Sequence, residues 1–387
     1  MAFIDEIYLM DDIFSYEQET EKRTGIRVQN VSHWDSSHLF QSEMSRSLEV
    51  STFSLPWDYY YTYSISIEDR IQVLKKLGIP SASINSTIGL LLQSSTIAIV
   101  NMINLLVHYN KKRLCIVQPA YFSVAECCKM FSLDYAIEYI SFDGVIPQIP
   151  IDRIVKGGYD CVWLTSPIFC TGKYYESDQI KEIIKLKDMG FTIVFDESLA
   201  LPGRELLRSI PIDSQVFAIY SPHKAISING LKFSVLVSDR CYEDFLEQWV
   251  DVFSGALSSS NRDAVFHYIS NNYVQDCLHT YKKYTAHAKK KIVEVVDQFP
   301  IAKMLDNTEG HYITIFTKTR FEDTNQLMLL MQSLISQCFA SFLPGILNGF
   351  DEREALCFRI NLTGDYLETP DSVRRILEYL SSHRHYV

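Results

Sequence analysis

The sequence predicts an α/β protein, with a large domain built on a mainly parallel sheet flanked by helices and a smaller α/β C-terminal domain. Three observations predict it. Six apolar runs of strand length recur between residues 88 and 238. Several of the stretches between them carry the 3.6-residue periodicity of helices. The runs themselves are nearly continuous in apolar character, as strands covered on both faces are.

Taken in order, the first 45 residues read as an arm with little regular pattern. The strand candidates are "IGLLLQ" (88–93), "RLCIVQ" (113–118), "CVWLTS" (161–166), "FTIVFDE" (191–197), "QVFAIY" (215–220) and "FSVLVS" (233–238). Among the intervening helical stretches are "TIAIVNMINLLVHYN" and "ESDQIKEIIKLKDM". A long helical segment over 273–298 ends before Pro300 and leads to the smaller unit. That unit contains the strands "HYITIFTK" and "ALCFRINLT", the helix "TNQLMLLMQSLISQC" and a final amphipathic helix "PDSVRRILEYLSS". The resulting division is 1–45 for the arm, grouped with the small domain, 46–285 for the large domain and 286–387 for the small one.

Composition narrows the function. An apolar fraction of 47% and a charged fraction of 21% over 387 residues are those of a chain able to bury a sizeable core. A formal net charge of −11 argues against a nucleic-acid surface. The one basic cluster, "KKYTAHAKKK" at 282–291, reads as the solvated face of a helix. The acidic N-terminus shows no signal peptide, and the apolar run from Thr96 is too short and too Asn-interrupted to span a bilayer. Nine cysteines without CxxC or Cys/His metal spacing suit reduced thiols in the cytoplasm, with no metal site.

In mainly parallel sheets the ligand crevice lies at the carboxyl ends of the strands, so the residues found there carry the argument. "IGLLLQ" runs into Ser94, Ser95 and Thr96 at a helix start, where amides and hydroxyls suit a phosphate, although plain N-capping reads the same way. Tyr121 follows "RLCIVQ" and offers an aromatic face to a flat ligand or closes the core. Asp196 is the first carboxylate after five uncharged residues, placed to face a cation or to cap a helix. "QVFAIY" leads to Ser221 and Lys224, a lysine with no charged neighbour unless His223 is protonated, and Lys232 follows eight positions on. Arg359 stands inside an apolar strand, where an arginine normally needs an anionic partner. Each signal is weak alone. Together they describe a ligand with a phosphate, a flat ring, a ring cation, an electrophile for an amine, and a substrate carboxylate. Pyridoxal 5′-phosphate (PLP) with an amino acid has those parts.

From about residue 55 onward the chain resembles the class I/II aminotransferases of PLP fold type I. "LLLQSSTIAI" looks like the family's strand, phosphate turn and helix, and "VQPAYFS" like its "DPTYPGY" segment. "FTIVFDES" looks like the strand whose Asp pairs with the pyridine nitrogen. "YSPHKAISINGLKFS" looks like "SxSKxFGLPGLRxG", and "SFLPGILNGFDEREALCFRINLT" like the "PGxxF…RLxL" ending. The resemblance implies that Lys224 is the Schiff-base lysine and general base, and that Asp196 is the pyridine-nitrogen partner. It also implies that Tyr121 stacks on the ring, that Ser94, Ser95, Thr96, Ser221 and Lys232 hold the phosphate, and that Arg359 clamps the substrate carboxylate. It carries the expectation of a homodimer with shared active sites, to which Tyr63 and the segment 258–269 are weaker pointers.

Departures from the family pattern are specific. "NPxNPTG" stands as "SPIFCTG" (166–172), putting Phe169 at the Asn that serves the cofactor's phenolic oxygen. "DESL" puts Leu199 at a tyrosine position, and Lys232 replaces an arginine fork with a point charge. His223 directly before the lysine resembles the "HK" pair of several PLP decarboxylases, or is a solvated turn histidine. Transamination of an α-amino acid is the default implied by the resemblance. Elimination, decarboxylation or amino-acid modification in a specialised pathway is the second expectation, and a non-catalytic PLP-fold binding protein the third.

Overall fold

The structure is a computed structural model describing residues 3–45, 67–76, 84–142, 146–225, 232–255, 257, 273–321, 323–351 and 355–383. Tyr63 and residues 226–231 and 258–269 lie outside the described residues. The strands in chain order begin with β1 (Gln29–Asn30), β2 (Thr87–Leu92), β3 (Arg113–Gln118) and β4 (Asp134–Tyr139). Next come β5 (Cys161–Thr165), β6 (Thr192–Glu197), β7 (Val216–Tyr220) and β8 (Ser234–Asp239). The last four are β9 (Ala302–Met304), β10 (Tyr312–Thr317), β11 (Ala340–Ser341) and β12 (Cys357–Asn361). The chain divides into two compact units, one of residues 46–169 and 174–279, the other of residues 1–45, 170–173 and 280–387.

The first of these units is a seven-stranded sheet in the order β2-β8-β7-β6-β5-β3-β4. β4, β3, β5, β6 and β7 run parallel, while β8 is antiparallel to both β7 and β2. Every residue of β5, β6 and β7 is buried, which is why these strands read as nearly continuous apolar runs rather than alternating ones. The helix Ser95–His108 packs Ala98, Ile99, Met102, Ile103 and Leu106 into the core shared with Ile116, Trp163 and Phe217. β4 is an edge strand that no apolar run announces. Its residues "DYAIEY" are all at least partly exposed, and a half-exposed edge needs no apolar face.

The second unit contains a three-stranded antiparallel sheet, β12-β10-β9, and the short parallel pair β1–β11. Its core joins Ile313 and Ile315 of β10 and Phe358 and Ile360 of β12 to the apolar faces of the helices Thr324–Cys338 and Thr369–Ser382. The helix Tyr273–Val296 belongs to this unit from Thr280 on and buries Tyr281, Tyr284, Ala288, Ile292 and Val295 at helical spacing, leaving Lys282, Lys283 and Lys290 exposed.

The N-terminal arm corrects the sequence expectation, because it is largely helical. A helix spans Phe3–Thr24 and another His38–Ser45. The first buries Leu9, Ile13, Glu17 and Thr20, at spacings of four, four and three, on one face. Two of those four are polar, so the apolar periodicity was diluted. Glu17 is tied in by hydrogen bonds from Asn30 Nδ2 (2.8 Å) and Ser341 Oγ (2.5 Å), and burial raises its pKa. Among the described residues no helix is long and apolar enough to cross a membrane, and no group of three metal-ligating side chains is found.

Candidate functional site

The sheet order explains how distant residues meet in the first unit. β2 and β7 both run antiparallel to β8, so their carboxyl ends flank its start. Three sequence segments therefore converge. β2 leads to Ser94 and Ser95, β7 leads to Ser221 and Lys224, and β8 begins at Ser234. Ser94 caps the helix, its Oγ accepting from Ile97 N–H at 3.2 Å, so the capping reading holds for it. Ser95 is buried one position further in, and its Oγ accepts from Lys224 Nζ at 2.6 Å. Ser221 Oγ lies 2.5 Å from Ser234 Oγ. Thr96 is exposed on the first turn and Lys232 is exposed two residues before Ser234.

Lys224 follows a short turn in which its N–H donates to the Ser221 carbonyl at 2.9 Å. Burial lowers its pKa; the Asp196 charge opposes this and Lys232 adds to it. Asp196, at the end of β6, is 4% exposed and accepts from Ser198 N–H at 3.1 Å. Burial raises its pKa, while hydrogen bonding from Ser198 and the Lys224 charge oppose it. Lys224 and Asp196 thus feel each other across the strand ends, without an ion pair between them among the described residues. His223 is 2% exposed, which corrects the solvated-turn reading. Its pKa is pushed down to about 3 by burial first and by Lys224 next, so the ring is neutral at ordinary pH.

Tyr121 follows β3 and is partly buried, its ring 4.5 Å from Phe122 and 6.1 Å from Phe169. Phe169 is itself buried and, being a phenylalanine, brings no hydrogen-bond donor; Leu199 is partly buried. The end of β5 adds two groups that sequence reading passed over. Thr165 is the register partner of Asp196, and the hydroxyls of both Thr165 and Ser166 are buried without a hydrogen-bond partner. Register partners on neighbouring parallel strands point to the same face, so Thr165 shares the Asp196 face.

Arg359 is placed in the second unit, on β12, and is 1% exposed. Its Nε and Nη2 donate to the Ser32 carbonyl at 3.1 and 3.0 Å, and Nη1 donates to Asn348 Oδ1 at 2.8 Å. The Cys170 sulfur lies 3.6 Å from Nη1. The Trp34 ring covers the guanidinium with its centroid 3.7 Å away, and the Tyr312 ring lies at 4.9 Å. Cys170 adopts a left-handed backbone (φ 62°), and Thr314 Oγ1 donates to its carbonyl at 2.8 Å. Gly172, two positions on, has φ 68°, and a Cβ there would sit 2.5 Å from the Tyr312 carbonyl oxygen, so only glycine fits. Ser32, Trp34 and Asn348 were not legible as partners. They are 327, 325 and 11 positions from Arg359, and only the fold joins them.

No family model matches the chain, and no curated protein matches it by sequence. Solved structures do match in fold. The alanine aminotransferase of Pyrococcus furiosus superposes with a TM-score of 0.75 at 13% identity, over 97% of this chain and 98% of that one. An aromatic aminotransferase of Pyrococcus horikoshii gives 0.74 at 12% identity, over 93% and 97%. An aspartate aminotransferase of Thermotoga maritima gives 0.71 at 15% identity, over 96% and 97%. The chain therefore has the PLP fold type I architecture of the class I/II, aspartate aminotransferase-like proteins.

Proposed function

We propose that the chain is a PLP-dependent enzyme acting on an α-amino acid, with transfer of the amino group as its reaction. The observation that carries this reading is the pair at the strand ends, a half-buried lysine whose pKa is lowered by desolvation and a buried carboxylate with no ion-pair partner among the described residues. The residues present suit the cofactor. A buried, raised carboxylate is costly unless a cation neutralises it, and a pyridinium nitrogen is such a cation. The partnerless hydroxyls of Thr165 and Ser166 are further unmet polar groups beside it. PLP, when bound, supplies an electron sink for the charge left on the substrate carbon when a bond there breaks.

The chain's own side chains would do the rest. Asp196 would hold negative charge against the ring nitrogen and keep it protonated. The hydroxyls of Ser94, Ser95, Thr96 and Ser221, with Lys232 as a point charge, would hold the phosphate. Tyr121 would lie on the ring. Lys224, whose neutral amine is favoured by burial, would hold the cofactor's aldehyde and then take and return the proton at the substrate carbon. Arg359 would receive the substrate carboxylate. Phe169, buried and without a donor, favours a second reading in which the cofactor's phenolic oxygen is less well served and elimination or decarboxylation is the reaction. A homodimeric, cytoplasmic enzyme is the corresponding expectation, and a non-catalytic PLP binder is the third reading.

The test is the absorbance between about 300 and 500 nm of protein incubated with PLP, beside Lys224→Ala. A band present in the wild type and lost in the variant supports the reading, and screening of amino acids with a keto-acid acceptor follows. No band in the wild type with PLP added overturns it.

A further inference from the structure

The surroundings of Arg359 point past its role as a generic clamp. The guanidinium is buried, yet every acceptor it meets among the described residues is neutral: a carbonyl, a side-chain amide and a sulfur. A buried, permanently charged group without a counter-anion is expensive. Neutral acceptors satisfy its N–H groups but leave the guanidinium without an ion-pair partner among the described residues, which is the condition of a group provisioned for an anion. The acceptors also differ in strength. Ser32 and Asn348 oxygens bind at 2.8–3.1 Å, whereas the Cys170 thiol is a weak acceptor at 3.6 Å. The thiol is therefore the contact a carboxylate oxygen displaces at least cost. Its hydrogen has somewhere to remain, since Cys170 Sγ also donates to Asn348 Oδ1 at 3.4 Å.

Trp34 supplies the other half. Arg359 is 1% exposed while Trp34, in face contact with it, is 41% exposed. The indole is thus an outer cover over the guanidinium. A ring centroid 3.7 Å from the guanidinium carbon is a close cation–π contact, and it holds the planar fork in one orientation. Tyr312 meets Trp34 edge to face at 5.5 Å and limits how far the indole can turn.

We propose that Trp34 and Cys170 are positioning residues of a carboxylate subsite on Arg359, with Trp34 orienting the guanidinium and the Cys170 thiol standing in for the ligand's carboxylate. The inference rests on the reading of Arg359 as the carboxylate residue, but not on bound cofactor. The ligand class is a small carboxylate, including the carboxylate end of an amino acid.

The experiment titrates the full chain, in its PLP-treated form, with acetate, propionate and 3-phenylpropionate and with the matching primary amides, reading tryptophan emission. Carboxylates and not amides perturb the wild-type emission, and Trp34→Phe removes most of that change while still binding carboxylate in competition with an amino acid. Cys170→Ala tightens carboxylate binding by about two- to tenfold, because a competing acceptor is gone. Trp34→Ala weakens it by about tenfold, and Trp34→Phe recovers much of the loss because an aromatic face is restored. Equal response to amides and carboxylates overturns the proposal, as does a Cys170→Ala variant that binds carboxylate more weakly, or a Trp34→Phe variant no better than Trp34→Ala. Absorbance of the same samples keeps the two readings apart. Loss of the cofactor band in every sample strikes the PLP reading, while a carboxylate response that fails beside a normal band strikes this one.

Discussion

Asp196 and Glu197 are consecutive carboxylates at the end of one buried strand, and the two faces of the sheet treat them differently. Glu197 is closed on itself. Tyr220 O–H donates to its Oε2 at 2.5 Å and Leu206 N–H to its Oε1 at 2.6 Å, and burial pushes its pKa up to about 8. Asp196, on the opposite face by strand alternation, accepts from Ser198 alone in the hydrogen bonds found among the described residues, and it feels Lys224 as its cation. Both side chains are dry. One has its partners built in, and the other shares its face with the Thr165 hydroxyl, which has none. Burial alone therefore does not mark a site; burial with unmet polar capacity does.

The largest expected effect lies on the Asp196 face. Lys224→Ala should abolish the cofactor band and lower turnover by at least about 10³-fold, read by absorbance and by product formation. Asp196→Asn should follow, keeping the fold but lowering turnover by about 10²–10³-fold, since the amide removes the negative charge while preserving shape. Glu197→Gln is the contrasting variant, and its turnover should change less than about threefold, within the range of an indirect effect. If Glu197→Gln costs as much turnover as Asp196→Asn, the division between the two faces is wrong.

The Glu197 face should instead answer in stability. Glu197→Ala leaves the Tyr220 hydroxyl and the Leu206 N–H unpaired in a dry site, an expected loss of about 2–4 kcal/mol in chemical denaturation. The pH dependence sharpens this. The folded pKa of about 8 lies above the ordinary value of 4.5, so the fold favours the neutral acid. The residue's contribution is full below about pH 4.5 and is lost as pH rises through about 8. Glu197→Gln mimics the neutral acid at every pH. Its melting temperature relative to wild type should therefore rise from about pH 5 to about pH 9. A constant difference across that range would mean that Glu197 is ionised in the fold. The smallest effect is Tyr220→Phe, at about 1 kcal/mol with turnover unchanged.

Much of this was legible in the sequence, for physical reasons. Strands buried on both faces are apolar along most of their length, so β2, β3, β5, β6, β7 and β8 announced themselves. Arg359 and Asp196 stood out because a charge inside or ending an apolar run is expensive to keep, and Lys224 because it follows an apolar strand with no charged neighbour unless His223 is protonated. What failed to show was whatever depends on contacts across the chain. The helix Phe3–Thr24 hid because its buried face includes Glu17 and Thr20, whose partners Asn30 and Ser341 lie elsewhere in the chain. β4 hid because an edge strand tolerates charge. His223 looked solvated because its neighbours in sequence are polar, whereas the Phe233 ring, 5.5 Å from it, comes from ten positions on.

The charged edge at β4 has a consequence of another kind. Asp134 pairs with Arg113 at 3.2 Å, and Glu138 pairs with Arg153 at 3.2 Å while accepting from Tyr159 O–H at 3.1 Å. A row of unpaired backbone groups is a template for any passing strand, and two fixed carboxylates on that row repel it and hold water against it. Replacing Asp134 and Glu138 with threonine would remove both charges from that edge and make the molecule self-adhesive. Such a variant should gain turbidity and thioflavin binding at concentrations where its parent stays clear.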